Sequence, residues 1–240
     1  MRRWLTALVV AGLAGSAVAG AAPAASAAST TCLVVDTNAN LSYTSLQDAV
    51  NAAAAGDTLF VKGTCTGGTG IDKDLTISGQ SASGTKTATL NGGGQTSVLG
   101  IGNGVSVTLN TLVITNGFAI RGGGGIINAG TVTLNGSTVT GNTASSLEDP
   151  LVGGGGIFND GGAVTLNDSA VTGNTSFVVG GGISNSVFGT VTMNGGSTVT
   201  GNTAHFGGGI FNRCGSTLVG AVAGVNVFNN TPDDIVNGSC

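Results

Sequence analysis

The residues able to do chemistry are few and scattered. Asp233-Asp234 is the neighbouring carboxyl pair to weigh for glycoside hydrolysis, which needs two carboxyls at a defined separation. Pro232 beside it makes a solvated charged edge the plainer reading. Glu148 and Asp149 sit in the longest break between repeats, Asp160 and Asp168 share one repeat, and Arg121 and Arg213 each flank a glycine tract. A general acid–base pair would be drawn from these groups. Their spacing does not bring three acids and a base onto adjacent units. Asp72 and Asp74 flank Lys73 in an early loop and read as solvated. His205, beside Phe206, is a lone imidazole without a partner in its neighbourhood of sequence. Phe118, Phe177, Phe188 and Phe206 fall near repeat junctions, where they either stack on sugar rings or pack a corner. Phe177, His205, Phe206 and Arg213 are therefore the candidates for binding. No Cys-x-x-Cys occurs and there is one histidine, so no metal site and no cofactor are expected. The glycine tracts lack a following Gly-Lys-Ser/Thr and start no helix, which excludes a phosphate loop.

These groups must be positioned by a repeat. Gly122-Gly-Gly-Gly-Ile-Ile-Asn128, Thr131-Val-Thr-Leu-Asn135 and Ser137-Thr-Val-Thr-Gly-Asn-Thr143 form one block. It returns from Gly153 and from Gly180, and a fourth copy opens at Gly207-Gly-Gly-Ile-Phe-Asn212. Ile126, Ile157, Ile183 and Ile210 lie 31, 26 and 27 residues apart. Self-similarity at this period marks a stacked solenoid. Each unit holds three short alternating pieces and no helix, so it reads as one coil of a parallel β-helix. Val132 and Leu134 should point inward and Thr131 and Thr133 outward. Asn135, Asn167 and Asn194 should stack as a turn ladder that satisfies corner backbone groups. Length variation is expected at one corner, after Gly-Asn-Thr, and insertions on one face of a solenoid mark its binding side. Earlier coils are irregular, with strands at Leu75-Thr-Ile77, Ala88-Thr-Leu90, Ser97-Val-Leu99, Val105-Ser-Val-Thr-Leu109 and Leu112-Val-Ile-Thr115. Before them, Leu33-Val-Val35 reads as a strand. Leu46, Ala49, Val50 and Ala53 form a helical stripe, with Thr44 or Ser45 as cap and Gly56 as stop.

Composition agrees. Gly is 45 of 240 residues, which suits tight turns and opposes helices, while 40% apolar residues oppose disorder. Arg2 and Arg3 precede an apolar run from Leu5 to about Ala19, and Ala25-Ser26-Ala27 fits a signal-peptidase site. Residues 1–27 are expected to be an export signal, residues 28–61 an N-terminal cap and first strand, and residues 62–240 the repeat domain. Ala17-Val18-Ala19 is a second candidate cleavage site. Without Arg2 and Arg3, five basic residues face eleven acidic ones, which opposes nucleic-acid binding. The four cysteines admit three pairings; Cys32–Cys65 and Cys214–Cys240, one staple at each end, are expected.

Over roughly residues 33–236 the chain resembles secreted bacterial right-handed parallel β-helix proteins of the pectin-lyase-like superfold. Its Gly-Gly-Gly-Ile-x-Asn elements are similar to the GGA(I/L) and FxxN repeats of chlamydial polymorphic membrane proteins. Ser45-Leu-Gln-Asp-Ala-Val-Asn-Ala-Ala-Ala-Ala-Gly-Asp-Thr-Leu-Phe-Val61 looks like that superfold's N-terminal cap. The resemblance implies an all-β solenoid of about eight coils with a short capping helix. It leaves activity open, because the superfold hosts lyases, hydrolases, adhesins and inert scaffolds. The chain has no room for a membrane barrel and ends without a sorting motif, so release or loose wall association is expected. The leading expectation is a monomeric, non-catalytic, adhesin-like or wall-associated scaffold binding a glycan or a surface protein. The alternative is a polysaccharide lyase or glycoside hydrolase, and only the lyase would call for Ca²⁺, beside a base that removes a sugar-ring proton. A third expectation rests on Thr131-x-Thr133, Thr138-x-Thr140, Thr190-x-Thr192 and Thr198-x-Thr200, similar to the Thr arrays of ice-binding β-helices but interrupted at Ala163 and Ala170.

Overall fold

The computed structural model describes residues 31–80, 87–145 and 153–238. The proposed export signal therefore lies outside the described residues. From Thr58 onward the chain winds as a parallel β-solenoid with three long sheets. The first sheet holds Thr58–Lys62, Leu75–Gly79, Ser106–Asn110, Thr131–Asn135, Ala163–Asn167, Thr190–Asn194 and Thr217–Val219, all parallel. The second runs from Thr64–Thr66 to Val227–Phe228 and the third from Thr69–Ile71 to Ile235–Asn237. A fourth, short sheet joins Phe118–Ala119, Thr143–Ala144 and Thr175–Ser176 at the corner between the second and third. Each long parallel sheet has seven stacked strands, which makes six turns from first layer to last. About eight were expected. The cap and the C-terminal loop of residues 220–226 take up chain without adding a turn.

Alternation decides what fills the inside. Val132, Leu134, Val164, Leu166, Val191 and Met193 are buried, in register from coil to coil, while Thr131 and Thr133 face outward. The second and third sheets contribute Leu90, Ile114, Val139, Val171 and Val199 on one side and Ile126, Ile157, Ile183 and Ile210 on the other. Because each residue meets its own repeat equivalent, one aliphatic column per strand position makes a continuous core. Several early strands start later than their sequence pieces. Leu99–Ile101, for example, replaces Ser97-Val-Leu99, because Leu99 and Ile101 stack under Ile126 and Asn128.

The N-terminal end is closed. Strand β1 (Leu33–Asp36) pairs antiparallel with β3 (Thr58–Lys62), and β2 (Leu41–Tyr43) pairs antiparallel with β1. Helix α1 (Leu46–Ala52) buries Leu46, Ala49 and Val50 over the open end of the core. Ser45 is its N-cap and accepts from the Asp48 amide at 3.3 Å. The helix stops at Ala53 rather than Gly56. The Asp57 carboxylate takes the Ala54 amide at 2.7 Å, and Lys73 Nζ donates to the Val50 and Ala53 carbonyls, at 3.2 Å each. These contacts satisfy the helix end before the chain reaches the glycine. The Cys32–Cys65 disulfide ties the cap to the second sheet, as expected from sequence. Cys214 is also disulfide-bonded, and Cys240 lies outside the described residues.

Candidate ligand-binding corner

Three corners turn the chain, and each is lined by stacked polar side chains. At the first, Asn194, Asn167 and Asn135 each donate to the amide oxygen of the preceding coil, ending on Asn110, with separations of 2.8–2.9 Å. This is the ladder expected from sequence, but it is half-exposed and bonds amide to amide. Backbone groups there are served by a second, buried column of Ser137, Ser169 and Ser197. At the second corner Asn142, Asn174, Asn202 and Asn230 are buried. Each of the first three donates at 3.0 Å to the next oxygen and also to two backbone carbonyls. At the third, Asn128, Asn159, Asn185, Asn212 and Asn237 form another such chain. A buried amide whose donors and acceptors are all paired stabilises the coil stack; an unpaired one costs about 1–3 kcal/mol.

The ladders settle what several candidate residues do. Asp234 accepts from the Asn230 backbone amide at 3.1 Å and from Asn230 Nδ2 at 3.0 Å, so it terminates the second-corner ladder. Asp168, with φ 47°, accepts from the Gly196 amide at 2.8 Å and so ties its turn to that of the next coil, and Asp74 accepts from the Ser106 amide at 2.7 Å. Asp233 and Asp234 precede the last strand of the third sheet, while Arg121 precedes its third strand from the start. Four layers separate them, about 19 Å at about 4.8 Å per layer, too far for one acid–base site. Glu148 and Asp149 lie outside the described residues. The described residues hold no group of three or more His, Cys, Asp or Glu able to bind a metal.

The glycine tracts face the backbone of the next coil, not a ligand. A Cβ on Gly155 would stand 2.5 Å from the Gly181 carbonyl and closer still to that of Thr175. Gly124 and Gly181 meet the equivalent carbonyls of the coil that follows each of them. Coils approach so closely at this corner that no side chain fits.

What does come together is apolar. The short fourth sheet pairs Phe118 with Thr143, and Thr143 with Thr175. The same register puts Ile120, Ser145 and Phe177 in one outward column. Backbone bonds from the Ser145 amide to the Ala119 carbonyl and from the Phe177 amide to the Ala144 carbonyl hold it. The Phe206 amide joins the Val178 carbonyl at 3.0 Å, which brings His205 and Phe206 alongside Phe177, and the His205 and Phe206 rings meet edge to face at 4.5 Å. Ile120, Phe177 and Phe206 are 66%, 60% and 51% exposed. Below them a recess of about 570 Å³ is lined by Gln95, Thr96, Phe118, Ile120, Arg121 and Ile127. Thus Phe177, His205, Phe206 and Arg121 share one corner. Arg213 does not: its amide bonds Asn185 across the third corner, at the far end of strand Ile210–Asn212. Phe188, 82% exposed with φ 66°, also belongs to that third corner.

Length variation is not confined to one corner. The third corner has two residues between Asn128 and Thr131, three between Asn159 and Ala163, and four between Asn185 and Thr190. On the first sheet, Thr58, Thr76, Thr108, Thr133, Thr165 and Thr192 stack without a break, beside the interrupted column Thr131, Ala163, Thr190.

No protein-family model, curated protein or solved structure gives a significant match to this chain. The structure defines a class, the parallel β-solenoid with a helical cap. The disulfide points to an oxidising compartment, and no helix among the described residues is long and apolar enough to cross a membrane.

Proposed function

We propose that this chain is a secreted, pectin-lyase-like β-helix that works as a non-catalytic, wall-associated scaffold and binds glycan at the corner of Phe118, Ile120, Phe177 and Phe206. The supporting observation is the exposed apolar set Ile120, Phe177 and Phe206, spread over four coils with Ser145 between the first two, in a molecule whose coil acids serve turns and ladder ends. A sugar ring presents an apolar face that stacks on aromatic side chains and a polar rim that hydrogen-bonds. Gln95 and Thr96, both exposed, line the adjoining recess for the second purpose. The fixed spacing of about 4.8 Å between coils suits a ligand that itself extends along the solenoid axis.

The test is retention and turnover on one panel of pectate, other polyuronates and neutral glycans. Binding without products is expected, and Phe177→Ala with Phe206→Ala should weaken it at least tenfold. Unsaturated products or new reducing ends would overturn the scaffold reading in favour of a lyase or hydrolase acting through residues such as Arg121, Glu148 and Asp149. Retention of a surface protein but no glycan would move the ligand class.

The unbroken Thr column favours a second reading, ice binding by the first sheet. β-Branched side chains on stacked strands share a restricted rotamer, so the hydroxyls form a fixed lattice. Thr165→Tyr should abolish inhibition of ice recrystallisation while leaving melting temperature unchanged; ice growth unaffected by the unaltered protein would end this reading.

A further inference from the structure

The cap holds two carboxylates that neither the ladders nor the corner uses. Asp36 ends β1 on the core-facing side, alternate with Val34, and is fully buried. It pairs across to Leu59, and Asp57, 8% exposed, lies two residues before Leu59 on the same face. Asp36 Oδ1 accepts the Asn38 and Ala39 amides at 2.9 and 3.2 Å, but its Oδ2 is buried with no partner. Asp57 Oδ1 stands 2.5 Å from Asn38 Nδ2. Among the described residues no cationic side chain lies within salt-bridge distance of either acid. The ion pair recorded there is Lys73–Asp72, and Lys73 Nζ is otherwise spent on the helix end.

Two buried acids without a cation are costly unless something neutralises them. We propose that the β1–β2 turn is a Ca²⁺ site, with Asp36, Asn38 and Asp57 as side-chain ligands. The donors are all oxygen, of the hard type that calcium selects, with no sulfur or imidazole among them. The run Asp36-Thr37-Asn38-Ala39-Asn40 has the alternate-residue spacing of oxygen-lined calcium loops, and Asn40 at φ 53° turns the chain back into β2. Asp36 Oδ2 supplies the unpaired acceptor. Rotation of the Asn38 amide would present its oxygen beside Asp57 Oδ1. Asp57 also caps the end of α1, so the ion would join the hairpin, the helix and the first coil into one closure. The site is at the end of the solenoid and is independent of the corner reading.

The experiment is calorimetry on the purified chain. Thermal melts in EDTA and in 10 mM CaCl₂, about 100 times a dissociation constant of about 10⁻⁴ M, should differ by about 5–10 °C. Titration should show one site, and MgCl₂ should give a smaller shift. Asp36→Asn and Asp57→Asn should each abolish the shift, while Asp233→Asn keeps it. Should neither cap variant fold, Asn38→Ala on the exposed rim is measured instead and should lose at least tenfold in affinity. Equal melts in EDTA and Ca²⁺ with no binding heat would overturn the site. So would a Ca²⁺ shift that survives in Asp36→Asn, or full affinity in Asn38→Ala, since the ion would then sit elsewhere.

Discussion

The third corner is built in two ways along its length. In the early coils it is aliphatic: Ile71 and Ile101 pair in register and are buried. From the next coil it is an amide chain, Asn128 to Asn237, pairing in the same register. The joint lies between Ile101 and Asn128, and there Asn128 Oδ1 is left without a donor. Its Nδ2 must face the carbonyls of Gly130 and Ala163, so flipping the amide gives no relief. An aliphatic corner needs only shape and can stop anywhere. An amide corner satisfies each rung through its neighbours, so its cost falls at the ends. The second-corner ladder meets that cost better: the Gly117 amide serves Asn142 Oδ1 at one end and Asp234 closes the other.

The strongest way to break the amide side is from its middle. Asn202→Ala removes three donated bonds and strands Asn174, and should cost about 4 kcal/mol, lowering the melting temperature by about 8–16 °C. Calorimetry checks it. The aliphatic side should depend instead on its staple. Cys32→Ser with Cys65→Ser opens a separation of 33 residues and should cost about 3 kcal/mol in chemical denaturation. The joint itself gives the sharper comparison. Asn128→Ala removes an orphaned oxygen along with its bonds and should cost about 1–2 kcal/mol less than Asn185→Ala, which sits inside the same chain. Equal costs would mean that the rungs act independently. Least affected should be the half-exposed first-corner ladder, where Asn167→Ala should cost under about 1 kcal/mol, because water replaces the lost partners.

Much of the architecture could be read from local pattern. Alternation in Thr131-Val-Thr-Leu-Asn135 and its copies, together with a 26–31 residue period, dictates short parallel strands with an aliphatic inside. The stripe at Leu46, Ala49 and Val50 with Ser45 before it dictates the capping helix. These follow from side-chain direction along the backbone, which is set within a few residues. The roles of the asparagines could not be read that way. Asn135 and Asn142 look alike in sequence, yet one stands in a half-exposed ladder and the other, 1% exposed, in a buried one. Both stack under the asparagine of the next coil; Asn135 ends its strand on the outward side, whereas Asn142 turns into the corner and meets the Ile114 carbonyl of the preceding coil, a relation across 28 residues that no window of sequence contains. The same holds for Phe177 and Phe206, joined at one corner while Phe188 and Arg213 turn to another, and for Asp36, whose burial beside Asp57 exists only once β1 pairs with β3. Composition and periodicity determined the coil; only the stacking register, which converts distant positions into neighbours about 4.8 Å apart, decided which polar groups became structure and which surface was left to bind.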